Sequence, residues 1–131
     1  EQVGSNLMGV INMCRAFVPQ MLVAGSGDIV NVLSVSARHT FAGAAVYCGA
    51  KAGALAFTHA LNAEVRSKGI RVSAVLPGSV DTPLWEDKSF IPPREEMLSP
   101  DSVAETIRSV LLSPRDRSFD EILLMPRKGI L

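Results

Sequence analysis

Apolar positions along this chain recur with two different periods, and the switches between them mark its elements. Val3, Leu7, Val10, Ile11, Cys14, Phe17, Val18, Met21 and Leu22 fall at helical spacing, which predicts a helix from Glu1 to about Ala24, ended near Gly25. Gly25-Ser26-Gly27-Asp28 is a turn signal, and Ile29-Val30-Asn31-Val32-Leu33 is a short β-branched run of the kind found in buried strands. A loop of polar and small residues from Ser34 to Ala45 leads into an Ala-rich helix, Val46 to about Lys68, with Leu55, Phe57, Leu61 and Val65 on its packing side and a stop at Gly69. Ile70 to Leu76 reads as a second strand, closed by Pro77-Gly78 because proline cannot continue a central ladder. From Asp81 to Pro100 the chain is rich in proline and charge and poor in periodicity, which predicts a mobile flap with one helical turn at Glu95 to Leu98. Ser99 can cap a third helix with Pro100 at its first position and Val103, Ile107, Val110 and Leu111 as its apolar stripe; Glu121 to Met125 is a last short strand.

Helix, strand, helix, strand, helix, strand is the order of an α/β fold. The crossover helices are long enough to return each strand parallel to the one before, as in half of a doubly wound sheet. Ligands of such sheets lie in the crevice outside the carboxyl ends of the strands. The residues just past two of those ends are Ser34 and Pro77-Gly78, and the crossover leaving Ser34 delivers the start of the next helix, with Tyr47 and Lys51, to the same rim.

Composition narrows the field. At 131 residues, 47% of them apolar types and 20% charged, the chain fits one soluble globular domain. The formal charge is zero and the basic residues are scattered singly, which argues against nucleic acid as a partner. Cys14 and Cys48 show neither CxxC nor Cys/His spacing, so no zinc site or disulfide framework is expected and a reducing cytoplasm fits. Apolar runs are broken well short of the roughly 18 residues of a membrane span, and no secretory signal is recognised, so no membrane association is expected.

The rim residues carry chemistry together. Tyr47 and Lys51, four apart on a helix, project from one face. A free tyrosine hydroxyl has a pKa of about 10, and an adjacent ammonium favours the phenolate and brings it toward working pH. Ser34 offers a hydroxyl to a substrate oxygen while Tyr47 gives or takes its proton, the assistance that hydride transfer to a carbonyl needs. No metal is required, but no side chain supplies a hydride, so a nicotinamide cofactor is implied. The competing reading, a hydrolase using His39 or His59 with Ser34, lacks the Gly-x-Ser-x-Gly elbow that exposes such a nucleophile.

At these residues the chain resembles the C-terminal, catalytic half of the short-chain dehydrogenase/reductase family, and the likeness runs over almost all of it. Ile29 to Ser34 resembles the strand delivering the catalytic serine, and Tyr47-Cys48-Gly49-Ala50-Lys51 resembles the Tyr-x-x-x-Lys signature. Asn6 in Ser5-Asn6-Leu7-Met8-Gly9 resembles the helix asparagine that holds a relay water, which completes a tetrad of Asn6, Ser34, Tyr47 and Lys51. The resemblance implies that Tyr47 and Lys51 line the cofactor, with Lys51 on the nicotinamide ribose. It also implies that in Pro77-Gly78-Ser79-Val80-Asp81-Thr82 the backbone at Val80 and the hydroxyl of Thr82 hold the nicotinamide carboxamide. Ala50, Leu33 and Ser73 depart from common family residues without removing a reacting group.

The family's glycine-rich phosphate turn has no counterpart here; Gly25-Ser26-Gly27 precedes a strand instead of opening a helix. Residues 1–131 therefore read as the C-terminal catalytic part of a single Rossmann-like domain whose phosphate-binding part lies upstream. What the resemblance implies is an oxidoreductase using NAD or NADP on a small-molecule alcohol or ketone, assembled as a homodimer or homotetramer through the small-residue helix and the first helix. The alternative is a truncated, non-catalytic family fragment acting in assembly or partner binding.

Overall fold

A computed structural model of the chain describes residues 1–86 and 88–130; Asp87 of the expected flap and Leu131 lie outside the described residues. Three strands, β1 (Gly27–Val32), β2 (Ile70–Pro77) and β3 (Glu121–Leu124), form one parallel sheet in the order β1-β2-β3, and they alternate with helices α1 (Gly9–Ala24), α2 (Ala45–Val65) and α3 (Pro100–Leu111). The α/β class and the parallel sheet expected from the apolar pattern are both present.

Strand β2 lies in the middle because it can: Ile70 and Val72 through Pro77 are buried, an apolar run that needs cover on both faces. One face is covered by α1 and α2. Leu33, Ala74 and Leu76 pack with Ala54 and Leu55 of α2, and Ile70 and Val72 pack with Val65, with Val18 and Met21 of α1 at their margin. Between the two helices Asn31 Nδ2 donates to Thr58 Oγ1 at 3.0 Å, and Thr58 Oγ1 donates to the Ala54 carbonyl at 2.7 Å, so the polar atoms on this face have partners. Helix α3 touches β1 and β2 and buries Val110.

The first helix departs from expectation in two ways. Gly4–Met8 form a π turn, with the Gly9 N–H donating to the Gly4 carbonyl, rather than a continuous α-helix from Glu1. Leu7 in that turn lies against Gly53 of α2, where an added Cβ would come within 3.4 Å of it. The π turn and α1 together also make a helix, Gly4–Ala24, long and apolar enough by length and composition to cross a membrane, although no run of that length was expected. Single polar residues such as Asn12, Arg15 and Gln20 interrupt the apolar run, yet its mean hydropathy stays at 1.4. Its Val10, Val18 and Met21 pack against the sheet, while Met13, Phe17 and Val23 are exposed.

Proline at the end of β2 is a second correction. Pro77 does not close the strand from outside; it is the last residue of β2 and pairs with Leu124. Pairing with β1 ends two residues earlier, at Val75, where the Leu33 N–H donates to the Val75 carbonyl at 2.8 Å, so the N–H that proline lacks has no acceptor waiting for it. The third helix is capped as expected, with Ser99 Oγ accepting from the Ser102 N–H at 3.1 Å. The expected turn at Glu95 to Leu98 lies instead at Arg94–Glu96, because Leu98 pairs with Val80.

Two left-handed glycines end the helical segments before β1 and β2: Gly25 at φ 65° and Gly69 at φ 84°. A Cβ on Gly69 would lie 2.2 Å from the Gly25 carbonyl oxygen, whereas one on Gly25 would meet open space. Gly69→Ala is therefore expected to lower stability by about 2–4 kcal/mol, from backbone strain plus a backbone clash, and Gly25→Ala by about 1 kcal/mol, from strain alone. Denaturant titration of both variants checks the difference; equal losses would refute the clash.

Candidate active site

Ser34 lies two residues past Val32, the last residue of β1. Its extended backbone, φ −170° and ψ 154°, caps a tight turn, Val35–Ala37, that packs against α2. The Ser34 Oγ accepts the Ser36 N–H at 3.1 Å and donates to the Ser36 Oγ at 3.1 Å. These two bonds fix the rotamer of a hydroxyl at the carboxyl end of the sheet. Ser36 is buried and was not among the expected site residues; the signal that could have found it is its position as second residue of a Ser-x-Ser capping turn.

Tyr47 sits in the first turn of α2 and Lys51 one turn on. The Lys51 Nζ lies 5.7 Å from the centroid of the Tyr47 ring, within cation–π reach. Lys51 is only 9% exposed, and burial pushes its ammonium below the ordinary lysine value. Among the described residues no carboxylate pairs with it, and no hydrogen bond engages the Tyr47 hydroxyl. A partly desolvated ammonium without an anion is costly to keep, and its natural complement is a bound ligand with oxygen acceptors.

Asn6 lies in the π turn that packs on α2, next to Leu7 and therefore near Gly53, two residues past Lys51. Its amide donates to the neighbouring Ser5 Oγ at 3.3 Å. The structure thus brings Asn6 to the helix that carries Lys51, without a direct bond between them among the described residues.

The segment from Pro77 to Thr82 is tied to the fold along one edge. The Gly78 N–H donates to the Leu124 carbonyl at 2.8 Å, and a Cβ at Gly78 would come within 2.7 Å of Pro126 Cδ, so the chain leaving β3 passes hard against it. Leu98 then donates to the Ser79 carbonyl and accepts from the Asp81 N–H, both at 2.9 Å. Arg94 forms an ion pair with Asp81. Among the described residues neither the Val80 N–H nor the Thr82 hydroxyl has a hydrogen-bond partner. Ser34, the start of α2 and the Pro77 to Thr82 loop all lie at the carboxyl rim of the sheet.

Other polar groupings belong elsewhere. His59 Nε2 lies 3.0 Å from Glu121 Oε2, an ion-pair distance rather than an aligned hydrogen bond, and Arg38 grips the same carboxylate at 2.9 and 2.6 Å. Arg38 holds the Glu121 carboxyl below its usual range. His59 is thus a surface pairing residue, and His39 is exposed. Two open depressions, of about 510 and 540 Å³, lie between α3 and β3 and beside His59 and Asp120; neither includes Ser34, Tyr47 or Lys51. They are grooves at the β3 side of the sheet, away from Ser34, Tyr47 and Lys51.

Comparison with known proteins adds relatives to this geometry. The sequence model of the family described as short chain dehydrogenase matches residues 1–90. An uncharacterized oxidoreductase of Staphylococcus haemolyticus is 31% identical over 126 residues, which cover 96% of this chain and 54% of that protein. A short chain dehydrogenase of Burkholderia cenocepacia, solved in complex with NADP, is similar with a TM-score of 0.79 at 30% identity, over 93% of this chain and 49% of that one. An alcohol dehydrogenase of the archaeon Thermococcus sibiricus, complexed with 5-hydroxy-NADP, gives a TM-score of 0.82 at 26% identity, over 95% of this chain and 52% of that one. The chain spans about half the length of the curated relatives it matches.

Proposed function

Because the chain belongs to the short-chain dehydrogenase/reductase family, we propose that the protein carrying it transfers a hydride between NAD or NADP and an alcohol or carbonyl substrate, with Tyr47 as general acid/base. The observation that carries this reading is Lys51: a largely buried lysine, its ammonium 5.7 Å from the centroid of the Tyr47 ring, with no anion beside it among the described residues. The unpartnered Val80 N–H and Thr82 hydroxyl fit the same ligand, since a nicotinamide carboxamide both accepts and donates hydrogen bonds.

In carbonyl reduction Tyr47 donates its proton to the substrate oxygen, which Ser34 holds by a hydrogen bond after its proton turns away from Ser36. Lys51 stabilises negative charge on the Tyr47 oxygen as the proton leaves, and its other N–H groups grip a ribose hydroxyl. Asn6, in the π turn beside α2, supports proton resupply toward Lys51. Pro77 and Gly78 bring the loop off the strand, and Val80 and Thr82 orient the carboxamide. The nicotinamide, when bound, supplies or accepts the hydride.

The chain forms the C-terminal catalytic part of a Rossmann-like domain in this reading, and residues outside it hold the cofactor phosphates. Exposed Met13 and Phe17 on α1, with exposed Gly49, Ala52, Ala56 and Ala60 on α2, favour a homodimer or homotetramer packed through these helices. Buried, unpaired Cys14 and Cys48 suit a cytoplasmic setting.

The test is titration of the intact protein with NADH and NADPH, followed by nicotinamide fluorescence, then a screen of small aldehydes, ketones and 3-oxo acids. Saturable binding of one dinucleotide and its carbonyl-dependent oxidation are expected. Binding of neither would instead favour a non-catalytic family fragment acting in assembly.

A further inference from the structure

A serine hydroxyl has one proton to give and two lone pairs with which to accept. At Ser34 the turn after β1 uses most of that capacity. One lone pair accepts the Ser36 N–H at 3.1 Å, and the proton goes to the Ser36 Oγ, also at 3.1 Å. Ser34 is left with a single lone pair for a ligand. The Ser36 Oγ accepts no other bond among the described residues, and at 7% exposure overall Ser36 meets little water that could take over as donor.

We infer that Ser36 is a positioning residue that sets which member of an alcohol and carbonyl pair the site holds more tightly, and that it favours the alcohol. The inference rests on the proposed hydride transfer at Ser34 and Tyr47 and adds a residue to it. An alcohol fits the bonds already in place. Its oxygen accepts from a protonated Tyr47, its O–H donates to the free lone pair of Ser34, and the Ser34 proton stays on Ser36. The donors then run in one direction, and no bond is broken. A carbonyl has no proton to give. For both Tyr47 and Ser34 to hold it, its oxygen must draw the Ser34 proton off Ser36, and the bond between the two serines is lost. Such an internal hydrogen bond is worth about a fivefold factor over the bonds to water that would replace it. The carbonyl forfeits that factor and the alcohol does not.

The experiment uses the intact protein and two variants. Ser36→Ala removes the side-chain acceptor and keeps the backbone N–H that orients Ser34, while Ser36→Cys keeps the shape and leaves only a weak acceptor. The wild type is first offered cyclohexanone, 2-butanone and ethyl acetoacetate with its preferred dinucleotide, and the carbonyl reduced fastest is used with its own alcohol. Dissociation constants are measured in the two complexes that cannot react: carbonyl with oxidised dinucleotide, and alcohol with reduced dinucleotide. Ser36→Ala is expected to tighten the carbonyl by about fivefold and to leave the alcohol within about twofold, with Ser36→Cys between the wild type and Ser36→Ala. An unchanged ratio of the two affinities overturns the inference, whether neither constant moves or both move together, because a packing role for Ser36 affects the two alike. A ratio that shifts toward the alcohol overturns it as well. If the wild type binds no dinucleotide, or reduces none of the three carbonyls, the hydride-transfer reading fails and the inference with it, an outcome distinct from failure of Ser36 alone.

Discussion

If the proposed hydride transfer holds, Tyr47→Phe is expected to lower kcat of the intact protein by about a thousandfold or more, while its cofactor binding and its stability stay close to those of the parent. The substitution removes one hydroxyl and keeps the ring. Among the described residues that hydroxyl makes no internal hydrogen bond, so its loss leaves no buried partner unsatisfied. The ring is what faces the Lys51 ammonium at 5.7 Å, and phenylalanine preserves that contact. What disappears is the proton donor and acceptor, and no neighbouring group replaces it: Ser34 is committed to Ser36 and has no base beside it, and His59 is turned to Glu121. Steady-state kinetics in both directions, with dinucleotide titration of the same variant, check the split. Retained turnover would remove Tyr47 from the mechanism.

Lys51→Met is expected to separate activity from stability in opposite directions. Methionine matches the length and volume of the lysine stem but carries no charge. Turnover should fall by about a hundredfold to a thousandfold, since the cation that stabilises charge on the Tyr47 oxygen is gone. Stability in the absence of cofactor should stay level or rise by about 1 kcal/mol, because a lysine only 9% exposed, its ammonium unpaired among the described residues, gives way to an apolar isostere.

The pH dependence carries the same sign. Burial places the folded-state value of Lys51 below its ordinary 10.5. Between that lowered value and 10.5 the unfolded chain holds a proton the folded one does not, so Lys51 makes wild-type stability rise with pH in that window. Below the window both states are protonated and the burial penalty is constant. The Lys51→Met variant lacks this rise, and wild-type activity that depends on the charged lysine should decline on its alkaline side before pH 10.5. Thermal melts of both proteins from neutral to alkaline pH read the difference. A Lys51→Met variant clearly less stable than its parent would argue that the ammonium is compensated.

Much of this was legible in one dimension because local physics decides it. The β-branched run before Ser34, the uninterrupted apolar stretch Ile70 to Leu76 and the Ser99-Pro100 cap are strong local signals, and each element lies within a few residues of its expected limits. Tyr47 and Lys51 share a helix face by spacing alone. Where the reading missed, a long-range partner was the cause. Pro77 joins β2 because β1 has already ended beside it; the flap's helical turn shifts to Arg94–Glu96 because Leu98 is claimed by Val80. The π turn at Gly4–Met8 accompanies the seating of Leu7 on Gly53, a contact across about 46 positions of sequence that no local period reveals.

Taken by itself, the sequence determined the parallel α/β class, the alternation of helices and strands, and the set of side chains proposed to support hydride transfer, since periodicity, caps and residue chemistry are local properties. Only the tertiary structure decided how those side chains are held. It buried Lys51 without an anion among the described residues, locked Ser34 onto Ser36, and bonded the Trp85 indole to the Val80 carbonyl. The physical reason is that desolvation and hydrogen-bond partners depend on what the folded chain brings into contact, which residue spacing does not encode.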